Sequence, residues 1–174
     1  MSAAQAQRRF RACLAGMIAA AGLLAVPTVA GTARAAPTTQ PDAADTSANA
    51  RHVRDAFDAW AAGTGSVFDL LHTDVVWTVA GTSPVSGTYV SREDFIDRAV
   101  RPITARLATP IVPKVRHVVA QGDTVMVVFD GTATTRDGGI YRNTYAWHMV
   151  LDGGRIIRAV AFLDTWALQS LMEG

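Results

Sequence analysis

Residues 139–164 leave this chain few choices. Tyr141, Asn143, Tyr145, Trp147 and Met149 recur at period two, so their side chains leave one face of one extended strand. Asp152, Gly153 and Gly154 then supply residues that accept positive φ, and the apolar run 156–164 returns antiparallel. Together they predict a hairpin. Its aromatic face carries two phenols, an indole and an amide, which need hydrogen-bond partners wherever they are buried. Such a face suits the wall of a pocket, and equally an amphipathic core with polar tips at its rim.

Upstream, three more β-rich features fall into the same rhythm. Runs 111–120 and 124–135 precede the hairpin, separated from each other by Gln121-Gly122-Asp123 and from residue 140 by Arg136-Asp137-Gly138-Gly139. Successive hairpins of this kind predict an antiparallel meander. A shorter strand is expected at 75–80, with a Gly-, Pro- and Ser-rich loop at 81–89 after it. Before the strand, Asn49 can cap a helix to about Ala62 that carries Val53, Phe57 and Trp60 on one face, with Gly63 and Gly65 ending it. Ser66 can cap a short second helix. Ser91 opens a third that holds Phe95, Ile96, Ala99, Val100 and Ile103, bends at Pro102 and ends near Leu107. A last short helix is expected at 165–172. Helices first and a meander afterwards indicate an α+β domain: a curved antiparallel sheet, bent into a half-cone by the twist of its long strands and covered by the N-terminal helices. A lidded half-cone encloses space for a small apolar ligand.

The first 36 residues stand apart. Arg8, Arg9 and Arg11 precede an apolar run at 13–26, and Ala33-Arg34-Ala35-Ala36 follows, the pattern of a bacterial-type secretory signal peptide removed on export. The run is short for a bilayer span, so no stable membrane anchor is expected after processing. The Arg8-Arg9 pair leaves both the twin-arginine and the general secretory routes open. Residues 37–50 read as a flexible spacer and 51–174 as one domain. Arg8, Arg9, Arg11 and Arg34 leave with the leader and no acidic residue does, so 16 basic residues become 12 against 15 acidic ones, a net charge of about −3. A mildly acidic chain with no basic stripe gives nucleic acid no footprint. The one cysteine, Cys13, lies in the leader, which leaves an exported protein without disulfides.

The order of elements, with the stretches at 71–77, 87–89, 141–147, 152–156 and 162–165, resembles the SnoaL-like branch of the nuclear transport factor 2-like superfamily over residues 51–172. The resemblance implies the half-cone fold, pairing into homodimers through the outer sheet face, and a range of activities from ketosteroid isomerases and polyketide cyclases to proteins without catalysis. It also shows which catalytic positions are altered. The isomerases' general base falls on Val79, their protonated oxyanion donor near Trp147 and their helix tyrosine near Ala56 or Phe57. The acid/base aspartate of the cyclases falls on Ala161. Neither valine nor alanine moves a proton, so those two mechanisms lose their bases.

The remaining candidates for proton transfer are Asp164, at the end of a strand beside Phe162 and Trp166, and His117, beside Arg116 on a strand. Asp164 has an equally direct role as the cap of the last helix. Trp77, Asn143, Tyr145, Trp147 and Met149 are the expected ligand-binding residues. No metal-ligand spacing, phosphate-cradling glycine loop or serine nucleophile elbow is present, so neither metal nor cofactor is expected. Two readings follow. One is an exported domain that binds a small hydrophobic or polycyclic molecule, with or without acid/base isomerase, cyclase or dehydratase chemistry. The other is a non-catalytic dimeric module whose outer sheet face, through Val118, Val128, Ala146, Val150 and Ala159, serves association. A cavity with an unpaired carboxylate or imidazole favours the first, and solid packing the second.

Overall fold

The Gly153-Gly154 turn closes the expected hairpin: both glycines have positive φ, 52° and 76°, which a two-residue turn of this twist requires at both central positions. The computed structural model describes residues 43–174. In it β5 (Ile140–Asp152) and β6 (Arg155–Leu163) pair antiparallel, and β4 (Thr124–Thr134) and β3 (Val112–Gln121) continue the meander on the far side of β5. On the near side, β1 (Leu71–Val79) lies against β6, and β2 (Gly87–Tyr89), inside the segment expected as loop, pairs with β1. The sheet order is β2-β1-β6-β5-β4-β3. All pairs are antiparallel except β1 with β6, so the sheet is mixed. That pair is joined through the whole intervening chain, and such a crossover permits parallel strands where a hairpin cannot.

Helix α1 runs Ala43–Ala61 and begins before the expected cap Asn49, so part of the expected spacer is helical. The signal peptide and the rest of the spacer lie outside the described residues. Ser66 and Asp69 form a reciprocal capping box around a single 3-10 turn, Val67–Leu70. The third helical segment is continuous but not uniform: α2 (Arg92–Phe95), a π turn (Ile96–Val100) and α3 (Arg101–Arg106). Pro102 explains the turn. It has no N–H to give, and its ring would clash with the carbonyl four residues back, so the chain widens to an Arg101-to-Ile96 bond just before it. Helix α4 (Thr165–Glu173) closes the fold.

The inner sheet face packs as the period predicts, with Tyr141, Asn143, Tyr145, Trp147, Met149 and Leu151 of β5 buried in alternation with outward residues. Val53 and Phe57 of α1 complete this core with Phe129, Trp77 and Ile156. Two register shifts rearrange what sequence alone assigns to the outer face. One, between Val115 and His117 on β3, exposes both Arg116 and His117 and turns Val118 inward opposite buried Val127. The other inserts Ile157 into β6, so Ala159 faces inward opposite Met149 and is buried. Only Val128, Ala146 and Val150 of the expected outer set face outward. They are joined there by Val76, Val119 and Phe162.

Candidate ligand cavity

A cavity of about 330 Å³ lies between the inner sheet face and the α2–α3 segment. Trp77 and Val79 of β1 and Tyr145 and Trp147 of β5 form one wall; Phe95, Ala99, Val100 and Ile103 form the facing one. Trp60 and Phe68 close one end. The connection 107–111 and Arg136 border the other. No residue of 81–89 reaches it, so the cover is the α3–β3 connection and not the loop after β1.

Gly131 makes room for one side of this site. A Cβ there would stand 2.9 Å from Ile111 Cγ2 and 2.9 Å from Tyr145 Cε2, and both residues line the cavity. With no side chain in the way, Tyr145 lies flat on Phe129, centroids 4.7 Å apart and 11° from parallel. Trp147 stands at the centre of the rings, edge-on to Trp77 and to Phe129 at 4.9 Å each and stacked near Trp60. Its Nε1 is buried with no hydrogen-bond acceptor among the described residues. An orphaned buried donor costs about 1–3 kcal/mol. The Trp147 ring is part of the cavity wall, and its Nε1 is covered.

The other polar groups of the β5 face are already engaged. Asn143 Nδ2 donates to Tyr141 Oη at 2.9 Å and to the Asp164 carbonyl at 2.9 Å, while its Oδ1 accepts from the Asp164 N–H at 3.0 Å. Tyr141 and Tyr145 hydroxyls meet at 2.8 Å. Burial pushes the Tyr145 phenol far above the ordinary tyrosine range, with Tyr141 beside it adding to the effect. Burial also raises Tyr141, although its bonds to Tyr145 and Asn143 pull the other way. The unfolded phenols ionise near pH ~10. Both groups therefore contribute stability that is complete below about pH 10 and is lost as pH climbs from there toward their folded values. Thermal melts between pH 9 and 11 should show a steep fall that is shallower in Tyr145→Phe.

The expected site residues separate accordingly. Trp77, Tyr145 and Trp147 line the cavity. Asn143 does not; it brackets the Asp164 backbone. Met149 is fully buried in core beneath α1 and does not reach the cavity either. Asp164 serves as the cap of α4, its Oδ1 accepting from the Trp166 and Ala167 N–H groups at 3.0 and 3.1 Å. The apolar cover expected for it is missing, since Phe162 is 50% and Trp166 74% exposed. His117 is exposed on the outer sheet face, opposite Val128. Neither it nor Asp164 lines the cavity, and among the described residues its wall holds no carboxylate and no imidazole. Val79 is in that wall, and Ala161 pairs with it in register but does not itself line the cavity. Among the described residues no group of three metal-ligating side chains comes together.

Sequence reasoning missed Arg136, Phe95 and the 107–111 connection. Phe95 and Ile103 carried a helical apolar pattern that announced burial but not what it would face. Arg136 sits in a Gly-rich turn and stays exposed, and nothing in such a turn announces that its side chain reaches across to the end of α3.

A bent six-stranded sheet with helices closing an apolar hollow over its inner face defines the nuclear transport factor 2-like class. The SnoaL-like domain family matches residues 53–159, and the chain belongs to that family. Solved structures share the fold. Bal32a, from a soil-derived mobile gene cassette, is 21% identical over 74% of this chain and 98% of its own, with a TM-score of 0.61. A putative SnoaL-like polyketide cyclase from Jannaschia sp. CCS1 is 17% identical over 78% and 98%, with a TM-score of 0.60. TerC, co-crystallised with polyporic acid, is 20% identical over 72% and 98%, with a TM-score of 0.57. No curated protein matches the chain.

Proposed function

We propose that this domain binds a small, largely apolar ring compound in the cavity, and that Trp147 Nε1 donates to an oxygen of that compound. The orphaned indole N–H in an aromatic wall carries this reading. The volume falls at the low end of the roughly 300–1,000 Å³ usual for ligand pockets. That TerC, of the same fold, was co-crystallised with polyporic acid supports a ring compound as the ligand. Binding rather than acid/base isomerisation or cyclisation is favoured by a wall in which Val79 stands where the isomerase base would be. We place the protein outside the cytoplasm, with residues 1–36 removed; an exported chain that begins at Pro37 is the expected intact-mass result.

The test is a thermal-shift screen of polycyclic ketones and quinones, with Trp147→Phe as the diagnostic variant. Phenylalanine removes the donor, so ligand affinity drops by roughly fivefold or more, the worth of one hydrogen bond of about 1 kcal/mol. Stability without ligand changes little, because loss of an unpaired buried donor offsets part of the lost ring volume. Equal affinity in both proteins would exclude the indole as a ligand contact. No stabilisation by any ring compound would remove the cavity reading.

A second reading concerns the outer sheet face, where Val119 is 64% and Phe162 50% exposed beside Val128, Ala146 and Val150. We propose that this face pairs two copies, which would withdraw those side chains from water. Sedimentation equilibrium should give twice the chain mass, and Phe162→Asp should shift it toward the monomer.

A further inference from the structure

Arg136, in the turn between β4 and β5, belongs to the walls of two hollows at once. One is the aromatic cavity; the other is a neighbouring groove of about 460 Å³ that also takes in Arg106, Asp137 and Arg142. Its position is set from two sides: the side-chain Nε donates to the Ala105 carbonyl at 2.7 Å and the backbone N–H to the Arg106 carbonyl at 3.0 Å, both at the end of α3. Among the described residues the rest of the guanidinium fork makes no further hydrogen bond or ion pair. The ion pairs among the described residues engage Arg92, Arg98, Arg101 and Arg116, and none engages Arg106, Arg136 or Arg142. The carboxylate nearest in sequence, Asp137, accepts through one oxygen, Oδ1, from the Thr135 hydroxyl and from the Gly139 N–H at 3.2 Å, and it forms no ion pair with the arginines.

Three guanidinium groups against one carboxylate leave this junction net cationic, and it opens beside a wall of rings. The pairing selects for a molecule with matching halves. A neutral ring compound would fill the cavity and leave the arginine unused; a cationic one would be repelled. A planar acid would place its rings among Trp77, Tyr145 and Trp147 and offer two oxygens to the flat donor fork of Arg136. We propose that the ligand of this cavity is an aromatic carboxylate whose acid group rests on Arg136, where the cavity meets the groove. This rests on the reading of the cavity as the ligand site.

Fluorescence titration of the purified protein with anthracene-2-carboxylate and with anthracene-2-carboxamide, nearly equal in shape, tests the acid alone. The acid should bind about tenfold tighter or more than the amide, the worth of a charge-assisted bond. The preference should shrink as salt rises from about 50 to about 500 mM. It should fall to near unity in Arg136→Gln and persist in Arg101→Gln, whose side chain pairs with Asp97 and lines neither hollow. Should Arg136→Gln fail to fold through loss of the Ala105 bond, Arg136→Lys keeps the charge without the fork, and a preference between the two extremes is expected there. Equal affinity for acid and amide in the wild type, or an undiminished preference in the Arg136 variants, overturns the inference. If the amide still binds and Trp147→Phe still weakens it, the cavity reading stands without it. If neither compound binds, both fall.

Discussion

Trp77→Ala should lower the free energy of unfolding by about 3–5 kcal/mol. Trp77 is 1% exposed, stacks on Phe95 at 4.4 Å and 21°, and stands edge-on to Trp147 at 4.9 Å. Domains of this size have roughly 5–15 kcal/mol in all, so the variant sits near the limit of folding. Urea titration measures the loss. A second consequence separates this ring from an ordinary core residue. Because one side of Trp77 already borders a cavity, truncation joins new space to old and the neighbours need not collapse into it. The variant should then recover stability with ring ligands one ring larger than the wild type accepts, by mass action on the folded state. A loss below about 1 kcal/mol would mean that the Phe95 and Trp147 contacts carry little of the packing.

How much of this could be read beforehand depends on the range of each signal. The β5–β6 hairpin was legible because its turn chemistry and its period are local: two glycines at positive φ fix the pairing beside the turn, and five alternating residues fix the face of β5. The meander and the final helix followed for the same reason. The parallel contact of β1 with β6 has no local mark, since it depends on where a strand lands after the chain has travelled across the whole domain. Period two gave the correct face of β5 but not what lies over each position along it. Met149 sits in core under α1, Tyr145 and Trp147 face the cavity, and Asn143 meets the start of α4. Single inserted residues had the widest effect. The extra residue in β6 turned Ala159 from outer face to core, and the one in β3 did the same for Val118. Arg136 was invisible as a site residue because a turn sequence reports its backbone shape and not its reach.

Asn143→Leu, close in volume and without polar atoms, should cost about 2–4 kcal/mol, because three hydrogen bonds leave together. Two of them hold the Asp164 backbone, one on its N–H and one on its carbonyl, and the third holds the Tyr141 hydroxyl. The donor and acceptor of Asp164 stand at the point where β6 hands over to α4, so their release should loosen that helix as a unit. Leu168 and Leu171 of α4 pack with Leu107, Ala133 and Tyr141, and Leu168 also lines the cavity. Ligand affinity should therefore fall along with stability, although Asn143 does not line the cavity. Asp164→Asn is the informative comparison. Asparagine caps a helix about as well as aspartate, so unfolding by urea should move by less than about 0.5 kcal/mol and binding should not move. Hydrogen exchange would separate the alternatives: faster exchange confined to α4 and the end of β6 in Asn143→Leu is expected, whereas uniform acceleration across the sheet would mean that Asn143 supports the whole core and not the strand-to-helix junction.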